Sequence, residues 1–316
     1  AFTFTMDALP GTPQIQNIIP TAFFKTNTWA APWLGLIGGL FILIVGMLYL
    51  EWRRRKAKNA GEGYGAGHIN EPDEITSDSI PNALLAVLPL LLVGVCNKLF
   101  TFYINKNYGV SFDFSALSIV GIAPVEVPKM AAIWAVEAAL VVGILAVLLL
   151  AFRRVKMNIK HQINISIGGA LLATLNTASE YGFGGVIAAL PGFKLLNESL
   201  SSTVKDPLAN EAITITTLAG ITGSASGGLS IALASMSETY LASAAKVGIT
   251  PDVLHRVASM ASGGMDTLPH NGAVITLLAI TGLTHRQSYG DIFAMTLIKT
   301  VAVAFVIGIY YSTGIV

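Results

Sequence analysis

Charge is scarce in this sequence. Only 12% of its 316 residues are Asp, Glu, Lys or Arg, while 53% are hydrophobic. Soluble domains carry about 25% charged residues, so this composition excludes an ordinary water-soluble fold and indicates one built for lipid. Cysteine is almost missing too. Cys96 stands alone, which excludes an internal disulfide, and inside its apolar run it reads as a small buried residue. The net charge of +1 says nothing about nucleic acid; the distribution of the charge says more, and no nucleic-acid partner is expected. No cleavable leader is visible. The chain opens at Ala1 on one copy of a repeated motif, so a preceding N-terminal portion is expected to be absent.

What is abundant is long apolar sequence. Residues 32–50 run uncharged for long enough to cross a hydrocarbon core of about 30 Å. They end in Glu51-Trp52-Arg53-Arg54-Arg55-Lys56. A basic cluster directly after a span is explained most simply by the positive-inside rule, which places 51–82 in a cytoplasmic loop. Residues 83–103 return outward, 104–128 form an external loop, and 130–152 come back to a second basic stop at Arg153-Arg154-Val155-Lys156. Glu137 lies inside that span, where an acid is costly enough to suggest a function, although a snorkelling or structural role competes. Residues 291–311 form the last span. Thr284-His285-Arg286-Gln287 before it suits the cytoplasmic side.

Two places break this pattern with the same words. Met6-Asp7-Ala8-Leu9-Pro10 and Met265-Asp266-Thr267-Leu268-Pro269 share Met-Asp-x-Leu-Pro. Each sits where a membrane helix would otherwise continue, and the second is followed by His270-Asn271-Gly272. Pro removes a backbone donor and Gly loosens the helix, so such a break survives only inside protein or beside water. Paired interruptions in the two halves of a chain point to a transporter's binding site. The expected fold is an all-α polytopic membrane protein with inverted repeats, broken helices and a re-entrant hairpin. That hairpin is placed at 163–192, with the polar tip Asn176-Thr177-Ala178-Ser179-Glu180. A further break falls at 220–228, rich in Gly, Ser and Thr, and 237–256 reads as an amphipathic connector. The organisation is thus 1–31 as the end of a first transport region, 32–162 as spans with the loop 51–82, and 163–316 as a second transport region.

These motifs carry a resemblance. Residues 1–13, the segment Phe183-Gly184-Gly185-Val186-Ile187 and the segment Thr222-Gly223-Ser224-Ala225-Ser226-Gly227 resemble the gluconate permease family, gluconate:proton symporters of the wider ion-transporter superfamily. Residues 264–276 look like its branch for short hydroxycarboxylates such as 3-hydroxybutyrate. The resemblance implies inverted repeats, no cofactor, and proton-coupled uptake of a sugar acid or related carboxylate across a bacterial inner membrane. It also implies that an N-terminal third, with the first scaffold helices and first hairpin, is lacking here.

A carboxylate inside a membrane cavity needs hydrogen-bond donors, and helix N-termini supply them together with a positive dipole end. Thr5, Gln14, Thr177, Ser179, Gly223, Ser224, Ser226, His270 and Asn271 are the candidate substrate ligands. No Arg or Lys is placed inside an apolar span between 163 and 283, which leaves amides and dipoles to bind the anion. Asp266, Asp7 and Glu180 are the candidates for proton coupling, with His270 beside Asp266. Each competes with a structural role, since Asp-x-Leu-Pro is also a helix-start signal. Sodium coupling through carbonyls and hydroxyls stays open, as does a homo-oligomer. No metal-ligand or Ser-His cluster is evident and no enzyme is expected. An intramembrane aspartyl enzyme using Asp7 and Asp266, or a passive carboxylate channel, is the alternative.

Overall fold

A computed structural model describes residues 7–63, 82–117, 124–152, 156, 159–193, 195, 199 and 203–316; at Thr177, Glu180 and several neighbours in the same helix only the backbone is described. Thr5 and the basic stop at Arg153-Arg154-Val155 lie outside the described residues.

The chain is built from helices: α1 (Ile15–Phe24), α2 (Pro32–Asn59), α3 (Ala83–Asn107), α4 (Val127–Leu150), α5 (Ile159–Ala188), α6 (Pro207–Thr222), α7 (Ala225–Lys246), α8 (Pro251–Gly263), α9 (Gly272–Thr281) and α10 (His285–Thr313). Two-residue strands, β1 (Ser111–Phe112) and β2 (Val125–Glu126), pair antiparallel in the α3–α4 connection. The fold is an all-α polytopic membrane protein. Helices α2, α3, α4 and α10 are long and apolar enough to cross a bilayer. Proline opens the first turn of α2, α4, α6 and α8, where its fixed φ suits a helix and its missing N–H is not needed. Left-handed residues stop α1, α6, α9 and α10 at Lys25, Gly223, Gly282 and Gly314.

The re-entrant hairpin is not at 163–192. Helix α5 runs unbroken from Ile159 to Ala188 through the polar segment expected to be a tip. Its glycines each cost about 1 kcal/mol of helix propensity, yet the helix continues through them. The hairpin lies one element later, in α6 and α7. Only Gly223, left-handed, and Ser224, extended, separate these helices. Their faces meet closely near the tip, where a Cβ on Gly228 would strike the Ala219 backbone. At the far end Pro207 and Tyr240 line one cavity, so the two arms run antiparallel along their length. The expected connector 237–256 is therefore the end of the second arm, a turn, and the start of α8.

The two Asp-x-Leu-Pro breaks open matching units. After the first comes ten-residue α1, a left-handed stop at Lys25 and 28-residue α2. After the second comes ten-residue α9, a left-handed stop at Gly282 and 29-residue α10. The residues that start the short helices, Gln14 and Asn271, share an extended backbone at φ −65°, ψ 134° and φ −71°, ψ 134°. The long helices pack antiparallel. Phe41 stacks on Phe305 at 4.5 Å between ring centroids, and Arg53 reaches Asp291 near the opposite end with contacts of 2.5 and 3.0 Å. Opposed direction is what inverted repeats require. It also puts the basic end of α2 and the His285-Arg286 end of α10 on the same side.

Between these units sits an apolar core that includes Leu34, Ile42, Leu218, Leu229, Leu254 and Val306. The α3–α4 pair leans on the first break through Asn97, whose Nδ2 donates to the Gly11 carbonyl at 2.8 Å. Glu137 lies on the exposed face of α4.

Candidate substrate site

The hairpin tip and the second break meet. Asn271 Nδ2 donates to the Gly223 carbonyl at 2.9 Å, and His270 Nε2 lies 3.0 Å from the Gly220 carbonyl. Asn271 also caps α9, its Oδ1 accepting from the Ala273 N–H at 2.7 Å. Ser224 caps α7 in the same way, accepting from the Gly227 N–H at 3.1 Å, and its hydroxyl lies 3.4 Å from that of Ser226. The N-termini of α7 and α9 therefore converge within a few residues of each other. The first break joins them, because Gln16 in the opening turn of α1 donates to Asp266 Oδ2 at 2.8 Å. Three helix starts and a buried carboxylate share one place. Helix starts carry the positive ends of the helix dipoles, which favour negative charge nearby.

Asp266 stands in a short 3₁₀ turn (Gly264–Thr267), and Leu268 after it is extended. Helical register does not carry across the break, so Asp266 and His270 do not share a helix face. Asp266 is buried with Gln16 and Asn271, while His270 is exposed.

Beside this cluster lies a second, more heavily charged one. Asp7 is wholly buried and pairs with Lys299 of α10, Oδ2 to Nζ 3.2 Å. A side chain at Gly263 would collide with the Asp7 carboxylate, so α8 can end here only on a glycine. Ser259 donates to the Asp7 carbonyl at 2.6 Å. One turn back, Arg256 is fully buried and donates to the Ala30 carbonyl at 2.7 Å and to Asn17 Oδ1 at 3.0 Å. His255, equally buried, reaches Thr26 and Asn17 at 2.6 and 3.2 Å. Buried charges need compensation: Lys299 has it in the Asp7 carboxylate, and Arg256 in carbonyl and amide oxygens. Asp7 is thus an ion-pair partner and not the cap of α1, whose start at Gln14 has no side-chain cap.

Of the expected ligands, the structure brings together Gly223, Ser224, Ser226, His270 and Asn271 with Asp266. Gln14 only starts α1; its neighbour Gln16 does the reaching. Ser179 is exposed on α5, and the side chains of Thr177 and Glu180 lie outside the described residues. The expectation of no internal cation between 163 and 283 is overturned by Arg256, and Lys299 adds another in the last span. A single lysine inside an apolar run was the available signal, because intramembrane cations default to functional positions. Gln16, Asn17 and His255 carry no such mark in sequence.

Spanning helices, helix breaks that meet, and buried charges beside them define a polytopic membrane protein of the transporter class. The chain is 59% identical over 324 aligned residues to the Bacillus subtilis (strain 168) protein "Uncharacterized transporter YxjC", covering 100% of this chain and 69% of that protein. It belongs to that transporter family. No protein-family model and no solved structure matches it.

Proposed function

We propose that the protein is a secondary active transporter that takes up a small (hydroxy)carboxylate or sugar acid, such as gluconate or 3-hydroxybutyrate, by proton symport across the bacterial inner membrane. The observation that carries this reading is the convergence of the α1, α7 and α9 starts on Asp266. A carboxylate substrate would take donors from these N-termini, from Asn271 and from the Ser226 hydroxyl, while Gln16 and His270 reach its hydroxyl oxygens. Asp266 is the proton-carrying partner of the substrate, since one negative group must be neutralised before a second is brought beside it. Protonation and substrate binding then favour each other, which is the thermodynamic content of symport.

The family resemblance in residues 1–13, 183–187, 222–227 and 264–276 supports the substrate class. Against an aspartyl enzyme stands the pairing: Asp7 engages Lys299 and Asp266 engages Gln16 and Asn271, whereas a catalytic dyad shares one proton between its two carboxyls. The test uses the full-length transporter in liposomes with an imposed pH gradient. Labelled gluconate or 3-hydroxybutyrate should be concentrated inside when the exterior is acidic. Downhill equilibration alone would favour a channel, and accumulation driven only by a sodium gradient would replace the proton by sodium.

A further inference from the structure

The most unusual group in the molecule lies outside the site described above. Glu211, in the second turn of α6, has zero exposure, and neither of its carboxylate oxygens has a hydrogen-bond partner among the described residues. One turn on, Thr214 is buried too. Tyr240, on the opposing arm of the hairpin, stands beside both; its hydroxyl meets the Met236 sulfur at 3.4 Å. An ionised carboxylate held this way would be an uncompensated charge in a dry interior, which folded proteins do not tolerate. A neutral carboxylic acid would be tolerated.

The neighbouring charges do not offer relief. On α7, Glu238 and Lys246 are exposed. On α8, Arg256 and His255 are turned to α1 and the segment after it. On α10, Lys299 serves Asp7, while Tyr311 serves Asp206 at the mouth of the hairpin. The turn that holds Asp266 lies against the hairpin tip, and α5 meets the hairpin at Ile231 and Thr222, also near the tip. The side chain of Glu180 on α5 lies outside the described residues. Among the described residues no charge comes close enough to Glu211 to compensate it.

A cavity of about 170 Å³ opens at the mouth of the hairpin, lined by Lys205, Asn210, Thr239 and Tyr240 among others. Tyr240 lines this cavity and also stands beside Glu211. The mouth is on the same side as the end of α10, opposite the basic end of α2. By the positive-inside rule that side is outside the cell. From Glu211 the helix runs nine residues to the Gly220 carbonyl that His270 holds, about 14 Å at 1.5 Å per residue.

We infer that Glu211 is a protonated carboxylic acid and the outward proton-binding group of the transport cycle, loaded from the cavity at the hairpin mouth past Tyr240. This rests on the symport reading only for what the proton does next; that the proton is there is independent of it. Loading is the transfer of a proton from hydronium in the cavity to the carboxylate, which leaves neutral water and a neutral carboxylic acid; release returns the proton to water and restores the carboxylate. Placing the carboxyl on a hairpin arm ties its protonation to the element that touches substrate.

Two measurements on the full-length transporter decide it. The first is infrared difference spectroscopy of wild type against Glu211→Gln in membranes. A protonated carboxylic-acid carbonyl band should be present near neutral pH and vanish in the variant. If no such band is lost, Glu211 is ionised and the inference falls. The second is accumulation of labelled gluconate or 3-hydroxybutyrate under about one pH unit of gradient, which supports roughly tenfold concentration for one proton per substrate. Glu211→Gln should reduce this to equal concentrations on both sides and remove the pH dependence of substrate affinity, while Glu211→Asp keeps part of each. Wild-type accumulation in Glu211→Gln overturns the coupling role, and loss of a sodium requirement in that variant would assign the carboxylate to sodium instead. If wild type itself accumulates neither substrate, the symport reading has failed, and the infrared band alone decides whether Glu211 holds the proton.

Discussion

The two Asp-x-Leu-Pro breaks begin as near copies and end as chemical opposites. Their backbones agree closely, down to the dihedrals that start the short helices and the left-handed residues that stop them. Their aspartates do not agree. Asp7 meets a lysine from the other repeat and sits against a glycine that leaves no room to move. Asp266 is held by two amides at the junction of three helix starts. Repetition supplies the geometry of a broken helix twice, and side-chain substitution then specialises the copies. The first break is a charge-locked joint. The second is the place proposed above for a proton and an anion to meet.

The strongest way to break this contrast is at the lock. Lys299→Met should leave Asp7 buried without its cation, a loss of about 3–5 kcal/mol. Thermal unfolding of the purified protein should show a large drop, and adding Asp7→Asn to Lys299→Met should restore most of it. If Lys299→Met is as stable as wild type, Asp7 is not charge-locked. Asp266→Asn should behave differently. Its amide partners can rebond, so folding should survive with a cost of about 1 kcal/mol, but concentration of substrate under a pH gradient should be lost. Wild-type accumulation in that variant would give Asp266 a purely structural part.

Smaller effects sharpen the hairpin tip. Ser224→Ala removes the α7 cap and should cost about 1 kcal/mol of stability. Ser226→Leu should cost little stability and abolish substrate binding, because that half-buried hydroxyl lies beside Ser224 at the hairpin tip. Unchanged affinity in Ser226→Leu would leave both serines as packing residues. The smallest effect lies where the repeats touch at their rim. Arg53→Ala breaks a partly exposed ion pair with Asp291 and should shift stability by under about 1 kcal/mol. A larger loss would mean that the antiparallel contact of α2 and α10 depends on charge more than on the apolar stack of Phe41 and Phe305.

Much of the architecture was legible. The apolar runs 32–50, 83–103, 130–152 and 291–311 fall within or almost within α2, α3, α4 and α10, because uncharged length is what a bilayer demands. The breaks at 7–10 and 265–272 were legible through proline and a repeated acid. The hairpin was misplaced because polar and glycine-rich stretches occur twice, at 176–185 and 220–228, and composition does not say which one turns. Cap chemistry does. Asp206-Pro207 is a helix start, and Ser224 lies three residues before Gly227, whose N–H it accepts. Those signals put Glu211 inside a helix. The contacts of Lys299, Arg256 and Gln16 were not legible, since each depends on which distant element arrives beside it.

The central claim, that an anion and a proton are bound together where the breaks meet, is tested most directly without any imposed gradient. Liposomes holding the full-length transporter are suspended in weakly buffered medium, and external pH is recorded as gluconate or 3-hydroxybutyrate is added. The account predicts alkalinisation of the medium that follows substrate uptake and is absent in Asp266→Asn. Uptake with no change in external pH would contradict it.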